Sequence, residues 1–411
     1  MSSYLQRQFG EIRADRALSL YGAFLALTHV VGAFFWRSDL HSLARVIAPG
    51  SQAICWPWAD GCASWRVLST AQIDRAVLLY GIVALLTAAL YAARRIPTAW
   101  VLHLALEATR LFVVGMDFRL RQNQHYMGFF VGVAFLFFSR RREVVRLLVV
   151  FFYVWAGLLK LNREWLTGAA LYAQPWFVPA SWNAAACTYV VVLEILFSWG
   201  VLARRGVVFW FSFLQLVWFH VVSWGVVGFF YPMLMFGILT VFPLMRWFAP
   251  PAGSEPEQPL LARFVRLRLG PATIALLLFF SFLQLLPRLI PGDSTLTGEG
   301  RVFALHMFDA KVVCEGKVTL HDRHGRAQTV GLRSQEAVRI ACDPILYWRN
   351  AQDLCSRVAT KNPDFTDLDL VLDSKHSSDP IVHRVLDIES FCTRRPEYRL
   401  FSRNDWIRID G

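Results

Sequence analysis

A single lysine, Lys160, lies near the end of a long apolar run, and its side chain could act as a base. The chain has 42 lysines and arginines, but only five are lysines, and the other four follow residue 310. An arginine stays protonated in proteins, whereas a lysine in apolar surroundings can be neutral near neutral pH. The use of lysine at this position therefore predicts a proton acceptor and not a fixed charge.

Two histidines in other apolar runs are predicted at a similar depth. Lys160 and His220 each lie about 14 residues from the inner end of their helix, or roughly 20 Å at ~1.5 Å per residue. His125 opens a further apolar run at its outer end. Polar residues inside membrane spans are costly, and they mark function or pairing. We therefore expect these three side chains to border one cavity. Tyr153 and Gly157 share a face with Lys160, where glycine leaves room for a ligand or another helix.

Each of these residues also has a structural interpretation. A lysine near a helix end commonly extends its charged head to the membrane interface, and a lone intramembrane histidine is more often a packing residue. Glu107 and Arg110 have i, i+3 spacing and are predicted to pair with each other. His29 and His103 are predicted to be structural. Glu194 has no local partner, so it needs one on another helix, and its role is open.

Membrane helices must position these residues. The chain is 55% hydrophobic and 15% aromatic, with a mean hydropathy of +0.40, which excludes an ordinary soluble globular protein. The first apolar run follows a charged segment and lacks a small-residue cleavage site, so it is predicted to be a retained span. We predict about nine spans, at 17–36, 77–93, 97–115, 126–139, 147–163, 187–203, 207–230, 231–248 and 271–290.

The distribution of basic residues predicts the orientation. With the N-terminus inside, the inner segments carry 15 arginines, and the outer loops before residue 285 carry seven. The net charge of +12 is then mostly a topological signal, so no nucleic-acid partner is expected. An odd number of spans places the C-terminal tail outside. The expected location is the bacterial inner membrane for a prokaryotic chain, or the endoplasmic reticulum for a eukaryotic one.

The seven cysteines all fall in segments predicted to face the outer compartment, where disulfides persist. An odd count leaves one free thiol, and the pairing cannot be read from the sequence. No two cysteines have C-x-x-C spacing, so no metal site is predicted. They are Cys55, Cys62, Cys187, Cys314, Cys342, Cys355 and Cys392.

The composition changes to that of a soluble domain after about residue 290. Residues 310–332 alternate apolar and polar positions around a turn, which predicts a β-hairpin. Residues 343–360 have helical spacing, and 365–374 predict a further strand. The predicted fold is an all-α polytopic membrane domain over 1–290, followed by a small extracytoplasmic α+β domain over 291–411.

Four motifs resemble one known family. "AGLLKLNREWLTG" (156–168) resembles the stretch around the catalytic base of vitamin K-dependent γ-glutamyl carboxylase and of its bacterial relatives with the horizontally transferred transmembrane (HTTM) domain. "NQHYMGFF" (123–130), "WFHVVSWGVVGFFYPM" (218–233) and "GEGRVFALHMF" (298–308) are similar to its histidine helices and to the start of its soluble domain. The resemblance covers most of the chain, and it implies nine spans with the N-terminus inside.

The resemblance implies a carbon–carbon lyase that also epoxidises a quinol. Lys160 matches the base that deprotonates reduced vitamin K, with His125 beside it and His220 lining the same cavity. Oxygenation gives a strongly basic species that removes a γ-proton from a peptide glutamate, and CO2 adds there. The implied cofactor is reduced vitamin K or a menaquinol-type naphthoquinone, with O2 and CO2 as co-substrates. The residues expected to bind the cofactor are Tyr126, Tyr153, Gly157 and Trp224.

The chain departs from the animal enzyme in two respects. Leu159 precedes Lys160, where the mammalian enzyme has a second lysine, and the soluble domain is far smaller. Quinol oxygenation is therefore favoured over glutamate carboxylation. The expected partners are the lipid bilayer, a quinone and a secreted peptide. The alternative function is a non-carboxylating membrane protein that helps a secreted peptide to mature or to be exported. Such a scaffold would not need Lys160, His125 and His220 in one cavity.

Overall fold

The computed structural model describes residues 3–38, 42–59, 61–248, 270–306, 310–332 and 340–408. Most of the described chain is helical. The bundle contains α1 (Ser3–Ala14), α2 (Arg16–Arg37), α3 (Leu43–Ile47), α4 (Thr70–Ala92), α5 (Ile96–Met116), α6 (Asn123–Phe137), α7 (Arg141–Leu159), α8 (Arg163–Leu166), α9 (Asn183–Ile195), α10 (Gly206–Val227), α11 (Phe230–Leu239), α12 (Val241–Trp247) and α13 (Pro271–Leu289).

Seven helical segments in the described ranges are long and apolar enough to cross a membrane. They match seven of the nine predicted spans. The remaining two predicted spans are also helical, but α6 has only 15 residues and α7 begins with the charged sequence RREVVR. The seven segments are 16–37, 70–92, 96–116, 180–202, 206–227, 230–247 and 271–289.

Local signals explain where the principal helices begin. The Asp15 side chain accepts hydrogen bonds from the backbone N–H groups of Ala17 and Leu18 and so caps α2. Ser69 and Gln72 form a capping box at the start of α4. In the bundle, α2 packs against α4 and α11, and α7 packs against α9. These packing contacts bring together the polar side chains described below.

The tail contains a four-stranded antiparallel sheet with the strand order β2-β1-β3-β4. The predicted hairpin, helix and strand are all present, and α15 packs on β3. Val318 pairs in register with Leu370, and both side chains are buried between sheet and helix. The elements are α14 (Ser294–Thr297), β1 (Val312–Asp322), β2 (Ala327–Leu332), α15 (Pro344–Lys361), β3 (Phe365–His376), β4 (His383–Ile388) and α16 (Phe391–Arg394).

The sheet domain rests on one end of the helix bundle. The buried Arg349 of α15 donates hydrogen bonds to the carbonyl oxygens of Cys55 (3.0 Å) and Trp56 (2.6 Å). Asn123, at the start of α6, donates to the carbonyl of His306 at 3.0 Å. The segments that the domain contacts are those predicted as outer loops. The tail and these loops therefore share one face of the bundle.

Three disulfides form in the described part of the chain. They join Cys55 to Cys62, Cys314 to Cys342, and Cys355 to Cys392. Cys187 is a buried free thiol. The expectation of one free cysteine is confirmed, and two of the three disulfides lie in the tail.

Candidate functional site

Lys160 forms a buried ion pair with Glu194. Lys160 is the C-terminal cap of α7, and its Nζ lies 2.6 Å from each carboxylate oxygen of Glu194 on α9. The two side chains are only 3% and 0% exposed. The structural interpretation of the sequence allowed the lysine head group to extend to the membrane interface. In the structure the head group is instead buried against Glu194. Glu194, which had no predicted partner, compensates its charge.

Gly157 explains how α7 and α9 come close enough for this pair. A Cβ atom at Gly157 would lie 2.7 Å from Cγ1 of Ile195 and 3.0 Å from Cβ of Glu194. Any larger residue would push the two helices apart. Of the two uses left open for this glycine, the structure shows approach by another helix.

An apolar cavity of about 80 Å³ opens beside Lys160. The 163–182 segment, α9 and α10 form its walls, and Trp165, Cys187, Phe219 and Tyr231 line it together with aliphatic side chains. Lys160 Nζ lies 5.1 Å from the centre of the Trp165 ring, close enough for a cation–π contact. The amino group of Lys160 thus faces a space with almost no other polar surface.

His220 lies behind one wall of this cavity. Its Nε2 is 2.7 Å from the Tyr153 hydroxyl, and its ring packs against Phe219 and Tyr231. Those two aromatic residues line the Lys160 cavity, whereas His220 and Tyr153 do not. Trp224, one turn further along α10, stacks on Trp176 with ring centres 5.9 Å apart.

His125 lies in a different environment. Its ring centre is 5.2 Å from those of both Trp36 and Phe230. It is not among the residues that line the Lys160 cavity. The Tyr126 hydroxyl accepts a hydrogen bond from Gln284 at 3.4 Å. The structure therefore brings His220 close to Lys160, but it does not place all three predicted residues on one cavity. Helix packing separates His125 from the pair, and the roles of these residues stay predictions.

A larger cavity of about 360 Å³ lies between the bundle and the sheet domain. Val227 and Tyr231 line both cavities, so the two adjoin. Three arginines and one aspartate contribute charge to its walls: Arg119, Arg121, Arg301 and Asp343. Burial raises the pKa of the Asp343 carboxyl, and the Arg121 guanidinium, 3.3 Å away, acts in the opposite direction. Arg119 in turn pairs with Asp117, so the three wall arginines face two aspartates among the described residues, and this small excess of positive charge suits an anionic ligand.

Two features of the polar interior were not predicted from the sequence: the Lys160–Glu194 pair, and the convergence of His29 and His103 on Glu107. The Lys160–Glu194 pair spans 34 residues, so no local spacing reveals it. The signal was present, since each residue is an isolated charge of opposite sign in a predicted span. The predicted Glu107–Arg110 pair does form. His29 and His103, which were predicted to be structural, both point at Glu107.

Comparison of the chain with family models, with curated proteins and with solved structures finds no match in any of the three.

Proposed function

We propose that this chain is an integral membrane enzyme of the carboxylase-like HTTM type, which oxygenates a reduced naphthoquinone with Lys160 as the base. The observation that carries the proposal is the buried Lys160–Glu194 pair at the edge of an apolar cavity. Buried charges are costly in a membrane, and they mark functional sites. A purely structural pair would not need to face a cavity.

The pair supplies a route for a proton. Both oxygens of Glu194 lie 2.6 Å from Nζ, so the carboxylate can take a proton from the lysine and leave a neutral amine. That amine then accepts a proton from a hydroxyl group in the cavity. Arginine could hold the same charge but could not make this transfer.

The walls near Lys160 are aromatic and aliphatic, which suits the faces of a naphthoquinone ring, and the 80 Å³ cavity would have to widen to admit it. Phe219, Trp165 and Tyr231 would contact its faces. A reduced quinone supplies all four electrons that O2 takes up, two in going to the quinone level and two at the new epoxide, so that quinol and O2 give epoxide and water. Tyr231 would separate the ring from the larger polar cavity, where the arginines would hold an acidic peptide side chain for the carboxylation half-reaction with CO2.

We propose that α6 and α7 complete a nine-span arrangement, with the N-terminus inside and the tail outside. Both helices lie where spans are predicted, and α7 packs against α9 and α13 within the bundle. Disulfides on the face that carries the tail support an oxidising compartment on that side.

The test uses the full chain in lipid nanodiscs with reduced vitamin K, O2 and labelled bicarbonate. Quinone epoxide and fixed carbon are measured separately. We expect epoxide from the wild-type protein, and none from Lys160→Arg or Lys160→Met. Lys361→Arg, at the exposed end of α15, is the matched control and should keep full activity.

The Lys160→Arg variant is the decisive one, because arginine can still pair with Glu194 and should fold. Near wild-type epoxidation by this variant would exclude lysine as the base. The alternative, a non-carboxylating maturation or export partner, is favoured by the cationic 360 Å³ cavity alone, which could hold a peptide without any reaction. A well-folded protein that binds an acidic peptide but yields no epoxide would support that alternative.

A further inference from the structure

A second polar cluster lies inside the bundle, away from Lys160. His29 on α2 and His103 and Glu107 on α5 are all buried, and their side chains converge. The Nε2 atoms of the two histidines lie 3.4 Å and 3.8 Å from the same carboxylate oxygen, Oε1 of Glu107. One potential ligand atom of each residue lies within 4.8 Å of the others.

The other nitrogen of each histidine is held by a tyrosine. Nδ1 of His29 hydrogen-bonds the Tyr80 hydroxyl, and Nδ1 of His103 lies 3.3 Å from the Tyr91 hydroxyl. These contacts fix the rings with Nε2 directed at Glu107. Neither Nε2 forms a hydrogen bond within the described ranges of the chain. Oriented imidazoles with an unused nitrogen are the usual arrangement of metal-binding histidines.

The two carboxylate oxygens of Glu107 have different neighbours. Its Oε2 pairs with Arg110, which leaves Oε1 facing the histidines. Two glycines on α6 make the room for this arrangement. A Cβ at Gly132 would lie 2.1 Å from Oε1 of Glu107, and one at Gly128 would lie 2.5 Å from Nη1 of Arg110. The carboxylate is therefore held in place by its ion pair with Arg110 and by the α6 backbone at Gly132, which carries no side chain.

We propose that His29, His103 and Glu107 bind a divalent transition-metal ion, zinc or ferrous iron. Ligand atoms about 2.0–2.1 Å from a four-coordinate ion lie roughly 3.3 Å from one another, close to the 3.4 Å and 3.8 Å found here. Two imidazoles and one carboxylate are a ligand set that both ions accept. A fourth, anionic ligand such as hydroxide would complete the site and offset part of the charge brought into the membrane.

The site is separate from the proposed quinone chemistry, since Lys160 and Glu194 belong to α7 and α9. A failed epoxidation assay would leave the metal proposal standing, and a metal-free protein would leave the epoxidation proposal standing. The metal content of Lys160→Arg should equal that of the wild-type protein.

Elemental analysis of the purified full-length protein tests the proposal. Cells are supplied with zinc and iron, and metal is counted per chain after gel filtration in detergent. We expect about one ion per wild-type chain and strong loss in His29→Gln and His103→Gln. Tyr80→Phe should weaken binding on the order of tenfold, as expected when a hydrogen bond that orients a ligand is removed. His220→Gln, another fully buried histidine within the bundle, is the matched control and should retain the metal.

A second measurement does not depend on whether the variants fold. Wild-type protein is stripped with a membrane-permeant chelator and reloaded with Co2+, whose visible absorption reports four-coordinate nitrogen and oxygen ligation. Appearance of that absorption with one equivalent, together with a higher melting temperature, supports the site. Folded wild-type protein that contains no zinc or iron and binds no Co2+ would overturn the proposal, as would variants that keep the full metal content.

Discussion

Lys160 and Glu194 come from helices far apart in sequence, and each makes the burial of the other tolerable. An unpaired charge in a dry interior costs several kcal/mol, whereas a hydrogen-bonded pair offsets much of that cost. The same reasoning applies to Glu107 and Arg110. In these two pairs of the described residues, the opposite charge comes from a second helix for Lys160 and from the next turn of the same helix for Glu107.

Replacing only one member of the Lys160–Glu194 pair should destabilise the protein. We expect Glu194→Gln to lower the free energy of unfolding by about 3–5 kcal/mol, because it leaves the ammonium group without its counter-ion. The double variant Lys160→Met/Glu194→Gln should lose less than the sum of the two single variants. Unfolding in detergent, measured as a double-mutant cycle, checks this. Strictly additive effects would mean that the two side chains do not interact.

Asp367 in the sheet domain should make stability depend on pH. Burial, the largest single influence, raises the pKa of this carboxyl. Hydrogen bonds from the Thr393 hydroxyl and from the backbone N–H groups of Leu368, Cys392 and Thr393 outweigh it, so the pKa falls below its ordinary value of 3.8. A carboxylate with a lowered pKa stabilises the fold above 3.8, and this contribution disappears as the pH drops through the folded-state value.

The matched comparison is Asp367→Asn. We expect the melting temperature of this variant to lie below that of the wild-type protein near neutral pH. The difference should shrink only below pH 3.8. Thermal melts followed by circular dichroism across this range test the sign. A difference that is constant with pH would show that the carboxylate charge contributes nothing.

At the scale of helices, the charged start of α7 is explained by its contacts with the N-terminal helices. Its first turns carry Arg141 and Arg142, which pair with Glu11 and Asp15 near the junction of α1 and α2. Arg141 is fully buried despite its charge. The charged start of α7 is therefore an anchor for the N-terminal helices and not a sign that the helix is exposed to water.

Gly132 should be sensitive to the smallest substitution. Gly132→Ala places a methyl group where Oε1 of Glu107 lies, so we expect a loss of about 1–3 kcal/mol from overpacking. Gly115 on α5 is the control, because a methyl group there would meet no atom of the described residues within 4 Å. Gly115→Ala should be neutral or stabilising by up to about 1 kcal/mol, because alanine is the better helix former. Equal effects of the two variants on thermal stability would refute this packing.

The sequence predicted the elements better than their contacts. Apolar runs and alternating patterns are local, so helices such as α4 and α10 and the hairpin of β1 and β2 fall where they are expected. Which faces meet depends on how the helices pack, which no local pattern contains. For this reason Glu194 had no predicted partner, and His125 was expected beside Lys160 although it packs against Trp36 and Phe230.

At the scale of the whole molecule, the disulfides and the docked sheet domain stabilise one face of the bundle. The Cys55–Cys62 disulfide closes a loop whose carbonyls bind Arg349. Gln52, three residues before Cys55, donates a hydrogen bond to Asn350 at 2.7 Å. These hydrogen bonds join the loop and the sheet domain.

The disulfides should differ in how much they stabilise the protein. Cys355–Cys392 closes a segment of 37 residues and Cys55–Cys62 one of seven. Loop-closure entropy predicts losses of about 4 and about 2 kcal/mol when each pair is replaced by serine. Denaturant melts under oxidising conditions measure both. The opposite order would show that native contacts, and not the entropy of the unfolded chain, dominate.

Thiol labelling should reveal the side of the membrane on which the tail lies. We expect Val67→Cys and Ile381→Cys, both at exposed positions, to react with a membrane-impermeant maleimide in intact cells. Arg95→Cys, exposed at the opposite end of α4, should react only after lysis. The native cysteines give little background, since six are in disulfides and Cys187 is buried. Labelling of Arg95→Cys alone in intact cells would reverse the proposed orientation.

The contact between Arg349 and the first long loop has a consequence for biogenesis. The loop leaves the ribosome 294 residues before the side chain that binds its carbonyl oxygen. At about 5–20 residues per second, that interval lasts roughly 15–60 s. During this time the loop can acquire its disulfide while its carbonyls are still hydrated. Oxidation of the loop should therefore precede docking of the tail. A nascent chain stalled before Arg349 should already contain the Cys55–Cys62 disulfide, while the loop is still exposed to the insertion machinery.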